Sequence, residues 1–241
     1  LFESKNYDCK VRFRGGTARN LAKKSWRIKF PDDQNVFNAN HINLNAEYRD
    51  KSLMRNYLAM KLFDFSGYPA PLAKHVNLAI NDETFAVYLQ VEDVEQEFFH
   101  RNSLDVELVY KAKNHAASMA PLENHDAYST TWECKLGKAD DYEQLQLLFS
   151  KLMYWTRDDF KSGIVHEFDI GNVLNYFAIE FVISSFDCFT KNHFFCYNED
   201  SKKWNIVPWD NDATFGNDWR GEYNEQYAQF ESGSALAKHM L

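Results

Sequence analysis

The feature that most constrains the fold is a pair of short apolar runs, HFFCY (193–197) and WNIVPW (204–209), separated by polar turn residues. Their length and spacing predict a β-hairpin. The preceding run, FDIGNVLNYFAIEFVISSF (168–186), is apolar on all sides, which predicts a buried helix, and Asp169 is a suitable N-cap. Glu180 in this run is expected to be paired or near an edge, because an isolated buried carboxylate is costly. A buried helix followed directly by a hairpin predicts an α+β fold.

Acidic and amide side chains stand on both sides of this hairpin. Asp187 and Asn192 precede the first run, and Asp210 and Asp212 follow the second. Because the two ends of a hairpin meet, we expect Asn192 to lie close to both later acids. Oxygen ligands of this kind suit Mg²⁺, with Mn²⁺ as an alternative. A solvated turn would also use these residue types, but the large apolar residues on either side of the acids favour a position near a core.

Composition bounds the class of protein. The chain has 241 residues, of which 45% are hydrophobic and 16% aromatic, which suits one large domain or two lobes around a cleft. A net charge of -8 argues against nucleic acid as a partner, because such binding depends on cations that neutralise phosphates. No apolar run reaches the length of a membrane-spanning helix. The chain opens without Met and ends in the helix-like run 234–241, so we expect it to be truncated at both ends.

The four cysteines show no CxxC spacing, which argues against a zinc site. Cys188 and Cys196 stand close to the predicted hairpin. We expect them to be free, buried, small apolar residues, with a disulfide as the alternative in an exported protein.

Two alternating runs, YDCKVRF (7–13) and KKSWRIKF (23–30), predict strands joined by a loop that contains Gly15 and Gly16. Glycines allow backbone N–H groups to approach a phosphate closely. The alternative is an ordinary surface hairpin with charged residues facing outward.

Basic residues cluster around this loop in a protein that is acidic overall, and anionic phosphates would explain them. Arg14 and Arg27 are candidate partners, and either Lys24 or Lys29 is the candidate strand lysine. The two lysines are an odd number of positions apart, so a regular strand points them to opposite faces. We therefore expect at most one to reach the phosphates.

The middle of the chain mixes strands and helices. Residues 31–50 look loop-like, the runs 74–80 and 84–91 predict a second hairpin, and 106–112 predicts a strand that carries Lys111 near its end. Residues 113–140 show no clear period. Helices are expected at 92–102, 141–155 and 156–163.

A further helix is predicted after Asp50 or Ser52, either of which suits the N-cap, with Gly67 at its C-terminal end. Its apolar stripe predicts core packing and comprises Leu53, Tyr57, Leu58, Leu62 and Phe65.

Five stretches then occur in a familiar order: RGGTARNLAKKSWRIKF, LNAEYRDKSLMRNYLAMKLF, YLQVEDVEQEFF, LVYKA and VPWDNDATFG. Together they resemble the CotH family of spore-coat kinases over nearly the whole chain, and the last stretch is the most specific. The resemblance implies an atypical, two-lobed protein-kinase-like fold. Residues 1–95 would form a small antiparallel sheet lobe with one helix, and residues 96–241 a mainly helical lobe, together making one catalytic domain.

The family resemblance also implies an activity: transfer of the γ-phosphoryl group of ATP, with Mg²⁺, to Ser or Thr hydroxyls of a protein substrate. Asp187 would be the catalytic base, and Asn192 and Asp210 would be metal ligands. Asp212 would hold a second metal ion or support the first. The same order of Asp, Asn and a later Asp before Phe-Gly occurs in protein kinases generally.

Two other functions remain open on the sequence: a catalytically inert kinase-like binding or structural coat module, and a metal-dependent phosphohydrolase. The resemblance suggests a spore coat, a cell surface or secretion as the location, with the cytoplasm as an open alternative.

Overall fold

The computed structural model describes residues 6–31, 40–223 and Leu236, which form an α+β fold. The strands are β1 (Lys10–Arg14), β2 (Ser25–Lys29), β3 (His41–Asn45), β4 (Ala73–Ile80), β5 (Glu83–Val91), β6 (Val106–Ala112), β7 (Trp132–Leu136), β8 (His193–Asn198) and β9 (Lys203–Pro208). The helices are α1 (Arg55–Phe65), α2 (Gln96–Arg101), α3 (His125–Thr131), α4 (Glu143–Tyr154), α5 (Arg157–Glu167) and α6 (Ile170–Val182), with a 3₁₀ turn at Thr17–Asn20. The strands make two antiparallel sheets, in the orders β1-β2-β3-β5-β4 and β7-β6-β8-β9.

The predicted hairpin around the oxygen-bearing residues is confirmed. β8 pairs with β9 in a register that sets His193 opposite Pro208. Both faces of this hairpin are buried, which explains why its strands are apolar at nearly every position instead of alternating. Phe195 packs into a core made with helices α3 to α6, whereas Phe194 and Cys196 face the opposite way.

That opposite face joins the two sheets. Phe194, Val207 and Trp209 of the second sheet region pack with Leu89 and Val91 of the first in one apolar cluster. Burial of this cluster holds the sheets together, since removal of apolar surface from water is the main stabilising term. Where the cluster ends, polar side chains from both sheets line an open cleft.

The prediction of which face of α1 packs into the core is wrong. The buried positions of α1 are Asn56, Ala59, Met60 and Phe63. Three residues of the predicted stripe are exposed: Leu58 is 42%, Leu62 40% and Phe65 92% accessible. The helix is rotated because Asn56 is drawn inside by a hydrogen bond to Glu47, a contact that an apolar count ignores.

Two stretches that look irregular in sequence carry structure. β3 lies within 31–50, and its alternation was obscured because Asn43 and Asn45 are polar yet buried. Residues 113–140 contain α3 and β7, and β7 is a short edge strand that pairs with the preceding strand, β6, across the segment that contains α3.

Several local predictions are confirmed. β4 and β5 form a hairpin that turns at Asn81 and Asp82, both with positive φ. Gly67 has a φ of 81° just after α1, and the Asp169 side chain caps α6. All four cysteines are free, and Cys188 and Cys196 are buried.

Among the described residues, no helix is both long and apolar enough to cross a membrane. The helix predicted over 234–241 lies outside the described residues except for Leu236, which is fully buried.

Candidate active site

The open end of the β8–β9 hairpin brings two of the predicted metal ligands together. The backbone N–H of Trp209 donates to the carbonyl oxygen of Asn192 at 3.0 Å, which continues the ladder beyond the strand ends. The Asn192 Nδ2 atom lies 3.5 Å from the carbonyl oxygen of Asp210, although the two residues are 18 positions apart. The predicted closeness of Asn192 and Asp210 is therefore confirmed.

Asp187 lies in the loop between α6 and β8, and only 8% of it is exposed. Its Oδ2 atom is 2.8 Å from Lys191 Nζ and accepts a hydrogen bond of 3.1 Å from Asn192 Nδ2. Its Oδ1 atom lies 3.5 Å from Nε2 of His115, an exposed side chain. One carboxylate oxygen is thus held by Lys191 and Asn192, and the other lies beside a residue at the surface.

Two buried side chains fix the backbone that follows Asp187. The Cys188 carbonyl oxygen accepts a hydrogen bond of 3.1 Å from the Tyr176 hydroxyl and lies 3.0 Å from His193 Nδ1. His193 Nδ1 also lies 2.9 Å from the Lys191 carbonyl oxygen, so this nitrogen carries the proton. Burial lowers the pKa of His193 to about 4, which keeps the ring neutral.

The turn from Asp210 to Asp212 is held by helices on two sides. Arg55 Nε of α1 donates to the Asp212 carbonyl oxygen at 2.8 Å. Asn211 Nδ2 donates to Oε1 of Glu180 in α6 at 2.7 Å. In addition, the Phe186 N–H donates to the Ala213 carbonyl oxygen at 3.1 Å, which ties this turn to the loop that carries Asp187.

A further carboxylate that sequence reasoning missed belongs to this acidic group. Glu47 follows β3 with a φ of 47°, is buried, and lines the same cavity as Asp210 and Asp212. Burial, opposed by a hydrogen bond from Asn56 and reinforced by Asp210, raises the pKa of Glu47 to about 7. The stretch LNAEYRD contributes to the family resemblance, but nothing in its local pattern singles out Glu47.

The oxygen-bearing residues have the donor chemistry that a divalent cation requires. Burial raises the pKa of Asp212 well above its ordinary value, and the carboxylates of Asp210, Glu47 and Asp187 raise it further. A cation among these groups would relieve that repulsion. The buried Oε2 atom of Glu47 also has no hydrogen-bond partner in the described part of the chain.

The glycine loop forms a wall of the site. Gly15 has a φ of 87°, and a Cβ there would lie 2.9 Å from the Cβ of Ala18, so the position requires glycine. A Cβ at Gly16 would meet no atom within 4 Å, which leaves its backbone open toward a ligand.

Two cavities meet at this loop and share Arg14, Gly15, Gly16 and Asp210. The smaller, of about 390 Å³, contains the acids Glu47 and Asp212 together with the rings of Tyr48 and Trp219. The larger, of about 830 Å³, is strongly cationic. Its basic residues come from both sheets and the loops beside them: Lys10, Arg12, Arg14, Arg19, Arg27, Lys29, Lys111, Lys113, Lys135 and Lys191.

The predicted phosphate-binding residues differ in their surroundings. Arg14 donates to Asn45 Oδ1, and its guanidinium stacks on the ring of Trp209. The Arg27 guanidinium is bound by Asp93 at 2.8 Å and Glu95 at 3.2 Å, so carboxylates already balance much of its charge.

Of the two candidate lysines, Lys29 lines the larger cavity. Lys24 precedes β2, and its Nζ atom donates to the Arg19 carbonyl oxygen at 2.7 Å.

Lys111 is the cationic residue that sequence reasoning left without a role. Its Nζ atom lies 4.8 Å from the ring centre of Trp209 and 5.4 Å from that of Phe194. Burial lowers the pKa of Lys111, with a further lowering by Arg14 and an opposing effect of Asp210. In β6, Lys111 and Tyr110 lie on opposite faces of the strand. Lys111 shares its face with Val109, which packs against the first sheet. The sequence feature that could have indicated this role is a lysine within an otherwise apolar strand, on the face that points inward.

Comparisons with known proteins agree with one another. Residues 11–241 match the family model described as CotH kinase protein. The chain is 29% identical over 243 residues to inner spore coat protein H of Bacillus subtilis, an alignment that covers 98% of this chain and 67% of that protein. It is 24% identical over 225 residues to invasin CotH2 of Rhizopus delemar, covering 83% of this chain and 36% of the invasin.

A third relative, an inner spore coat protein H-like protein of B. subtilis, is 37% identical over 82 residues, which cover 32% of this chain and 25% of that protein. The chain therefore spans well under two thirds of the length of the last two relatives.

Proposed function

This chain belongs to the CotH family, and from that premise we propose that it is an atypical protein kinase. In this proposal it transfers the γ-phosphoryl group of ATP, with Mg²⁺, to Ser or Thr hydroxyls of a protein substrate. The observation that carries the proposal is the convergence of Asp187, Asn192 and Asp210 at the open end of one hairpin, beside a cleft lined by cations from both sheets. Phosphoryl transfer needs this combination of oxygen ligands and fixed positive charge.

A two-lobed arrangement is part of the proposal. One sheet falls entirely within residues 1–95 and the other within residues 96–241, and the cationic cleft takes side chains from both. We assign the first range to a lobe that covers the phosphates and the second to a lobe that carries the catalytic and metal-binding residues.

Phosphate binding is assigned to the glycine loop, Arg14 and Lys111. The open side of Gly16 allows close approach of a phosphate oxygen to the backbone. Lys111 and Arg14 are both supported by the ring of Trp209, so their charges point into the cleft without the freedom of surface side chains. Lys29 adds charge at the rim of the cleft, whereas Arg27 serves mainly to hold Asp93 and Glu95.

Asp187 is assigned the role of base. In this role the Oδ1 atom, on the side of the exposed His115, accepts the proton of the Ser or Thr hydroxyl as the hydroxyl oxygen attacks the γ-phosphorus. The bond from that phosphorus to the bridging oxygen of ADP breaks at the same step. Lys191 and Asn192 hold the other carboxylate oxygen and so orient Oδ1. His115 must move from Oδ1 before the acceptor hydroxyl can bind there.

Asn192, Asp210 and Asp212 are the residues proposed to hold Mg²⁺. The ion would neutralise phosphate charge in the bound nucleotide. Glu47 lies within reach of the same group and is a candidate for further support of this metal site.

The test is a calorimetric titration of ATP into the protein with and without Mg²⁺, repeated on Asp210→Ala. We expect Mg²⁺ to strengthen ATP binding in the parent and to have no effect in the variant. The matched control is Asp200→Ala, which removes an exposed acid from the opposite end of the same hairpin and should bind as the parent does.

The titration tests both the ligand role of Asp210 and the kinase proposal itself. Unchanged Mg²⁺ dependence in Asp210→Ala would contradict the ligand role of that residue. Absence of ATP binding by the parent under both conditions would contradict the kinase proposal and leave an inert binding module as the better description.

A further inference from the structure

Glu180 is a fully buried carboxyl group whose hydrogen bonding is incomplete. It lies in α6, and its Oε1 atom accepts a hydrogen bond of 2.7 Å from Asn211 Nδ2. The other two polar atoms of this pair, Glu180 Oε2 and Asn211 Oδ1, are both buried and lack a hydrogen-bond partner among the described residues. Two acceptor oxygens on joined side chains are therefore left without a donor, which is costly in a protein interior.

The groups that face Glu180 are neutral. They are Asn211, Ser185, Cys188 and Tyr176. Burial raises the pKa of Cys188 and of Tyr176 well above their ordinary values, so both keep their protons. Burial likewise raises the pKa of Glu180 to about 7, against the lowering effect of the hydrogen bond from Asn211 and of the nearby polar groups of Ser185 and Cys188. A negative charge here would have no cation beside it among these groups.

A single proton resolves the problem at both atoms. A neutral carboxylic acid offers one acceptor and one donor, and a carboxamide offers the complementary pair. We propose that Glu180 is a neutral acid whose Oε2–H donates to Asn211 Oδ1, so that the two side chains form a closed ring of two hydrogen bonds that positions the metal-binding turn.

The location of the ring gives it a role in the active site. Asn211 stands between Asp210 and Asp212, so fixing its side chain fixes the direction of both acids. The N–H of Ser185 donates to the Glu180 carbonyl oxygen at 2.9 Å, which ties the same turn of α6 to the loop that leads to Asp187. Glu180 touches none of the reacting groups and is a positioning residue. This catalytic consequence rests on the proposed function, but the protonation of Glu180 does not.

The test compares Glu180→Gln and Glu180→Ala with the parent. Glutamine has the same shape and the same donor and acceptor as the neutral acid, whereas alanine removes both hydrogen bonds. Glu143→Gln is the control, because Glu143 is an exposed glutamate in α4. The measurements are thermal unfolding as a function of pH and the calorimetric affinity for ATP with Mg²⁺.

The expected pH dependence follows from linkage. A carboxyl whose pKa is higher in the folded than in the unfolded protein stabilises the fold less as pH rises. The melting temperature of Glu180→Gln relative to the parent should therefore rise between about pH 4.5 and about pH 7 and then stay constant. Above that range, the parent should lose affinity for ATP with Mg²⁺, and Glu180→Gln should retain it. The infrared carbonyl band of protonated carboxylic acids should be weaker in Glu180→Gln than in the parent, and the difference between the two spectra should contain one such band, because Glu47 and Asp212 contribute equally to both.

Two results would overturn the proposal. One is a pH profile of Glu180→Gln parallel to that of the parent, which would mean that Glu180 does not titrate there. The other is loss of folding or of binding in Glu180→Gln equal to that in Glu180→Ala, which would mean that an ionised carboxylate is needed. If the parent does not bind ATP at all, the proposed function fails alone, and the unfolding profiles and infrared band still decide the state of Glu180.

Discussion

Replacement of Lys111 by methionine separates the binding role of this residue from its structural role. The Lys111 Nζ atom lies over the rings of Trp209 and Phe194, 4.8 and 5.4 Å from the two ring centres. Methionine has a similar length, so it fills the same space beside the two rings but removes the charge. The variant therefore tests the ammonium group and leaves the walls of the cleft intact.

The expected loss of ATP affinity follows from the burial of Lys111. A hydrogen bond to a charged group contributes about 1.5–3 kcal/mol. Because burial already lowers the pKa of Lys111 in the free protein, most of its desolvation cost falls on folding and little falls on binding. We therefore expect the upper part of this range, which corresponds to roughly a 100-fold weaker Kd.

Calorimetry with ATP and Mg²⁺ measures this loss, and thermal unfolding of the free protein checks the fold. The melting temperature of Lys111→Met should not fall, because the variant no longer buries a charge. Lys202→Met is the control, since Lys202 is exposed in the turn between β8 and β9. Parent-like affinity in Lys111→Met would refute the phosphate role, and a large drop in melting temperature would show that the lysine is structural.

Three further predictions test separate parts of the structure. Asp187→Asn should bind ATP with Mg²⁺ like the parent but phosphorylate roughly 100-fold or more slowly, and an unchanged rate would remove Asp187 as the base. Phe63→Ala should destabilise the fold by about 3–5 kcal/mol, whereas Phe65→Ala on the exposed face of α1 should change its stability by about 0.5 kcal/mol or less, as measured by denaturant unfolding. The neutral ring of His193 should contribute about 3 kcal/mol of stability that is lost as pH falls from 6.5 to about 4. His193→Asn, which keeps a donor near Cys188, should show a flatter acid limb, and an equally steep limb would contradict the assignment.

The local features of the fold were predictable because they depend on neighbours in the chain. The β8–β9 hairpin, the buried helix capped by Asp169 and the turn at Gly67 all follow from the periodicity of apolar residues and the chemistry of caps and turns. The closeness of Asn192 to Asp210 follows too, because strand pairing brings the two ends of a hairpin together whatever the rest of the chain does.

The wrong predictions concern which side chains of an element are buried, and this depends on contacts with residues outside that element. α1 is rotated so that Asn56 is buried and Phe65 is exposed, because Asn56 pairs with Glu47. β3 was not predicted, because its asparagines are buried in the structure and polarity alone places such residues in loops. Apolar periodicity predicts an amphipathic element, but it cannot include polar groups whose partners come from another part of the chain.

Of the candidate site, the sequence alone predicted Asp187, Asn192, Asp210 and the glycine loop, since their order and spacing can be read along the chain. Only tertiary structure brought in Lys111 and Glu47, which come from different sheets. The raised pKa values of two further groups also depend on tertiary structure. That of Asp212 is raised by burial and by neighbouring carboxylates, and that of Glu180 is raised by burial. Charge state and access to the cleft depend on which surfaces are removed from water together, and that is decided only when the two sheets pack against each other.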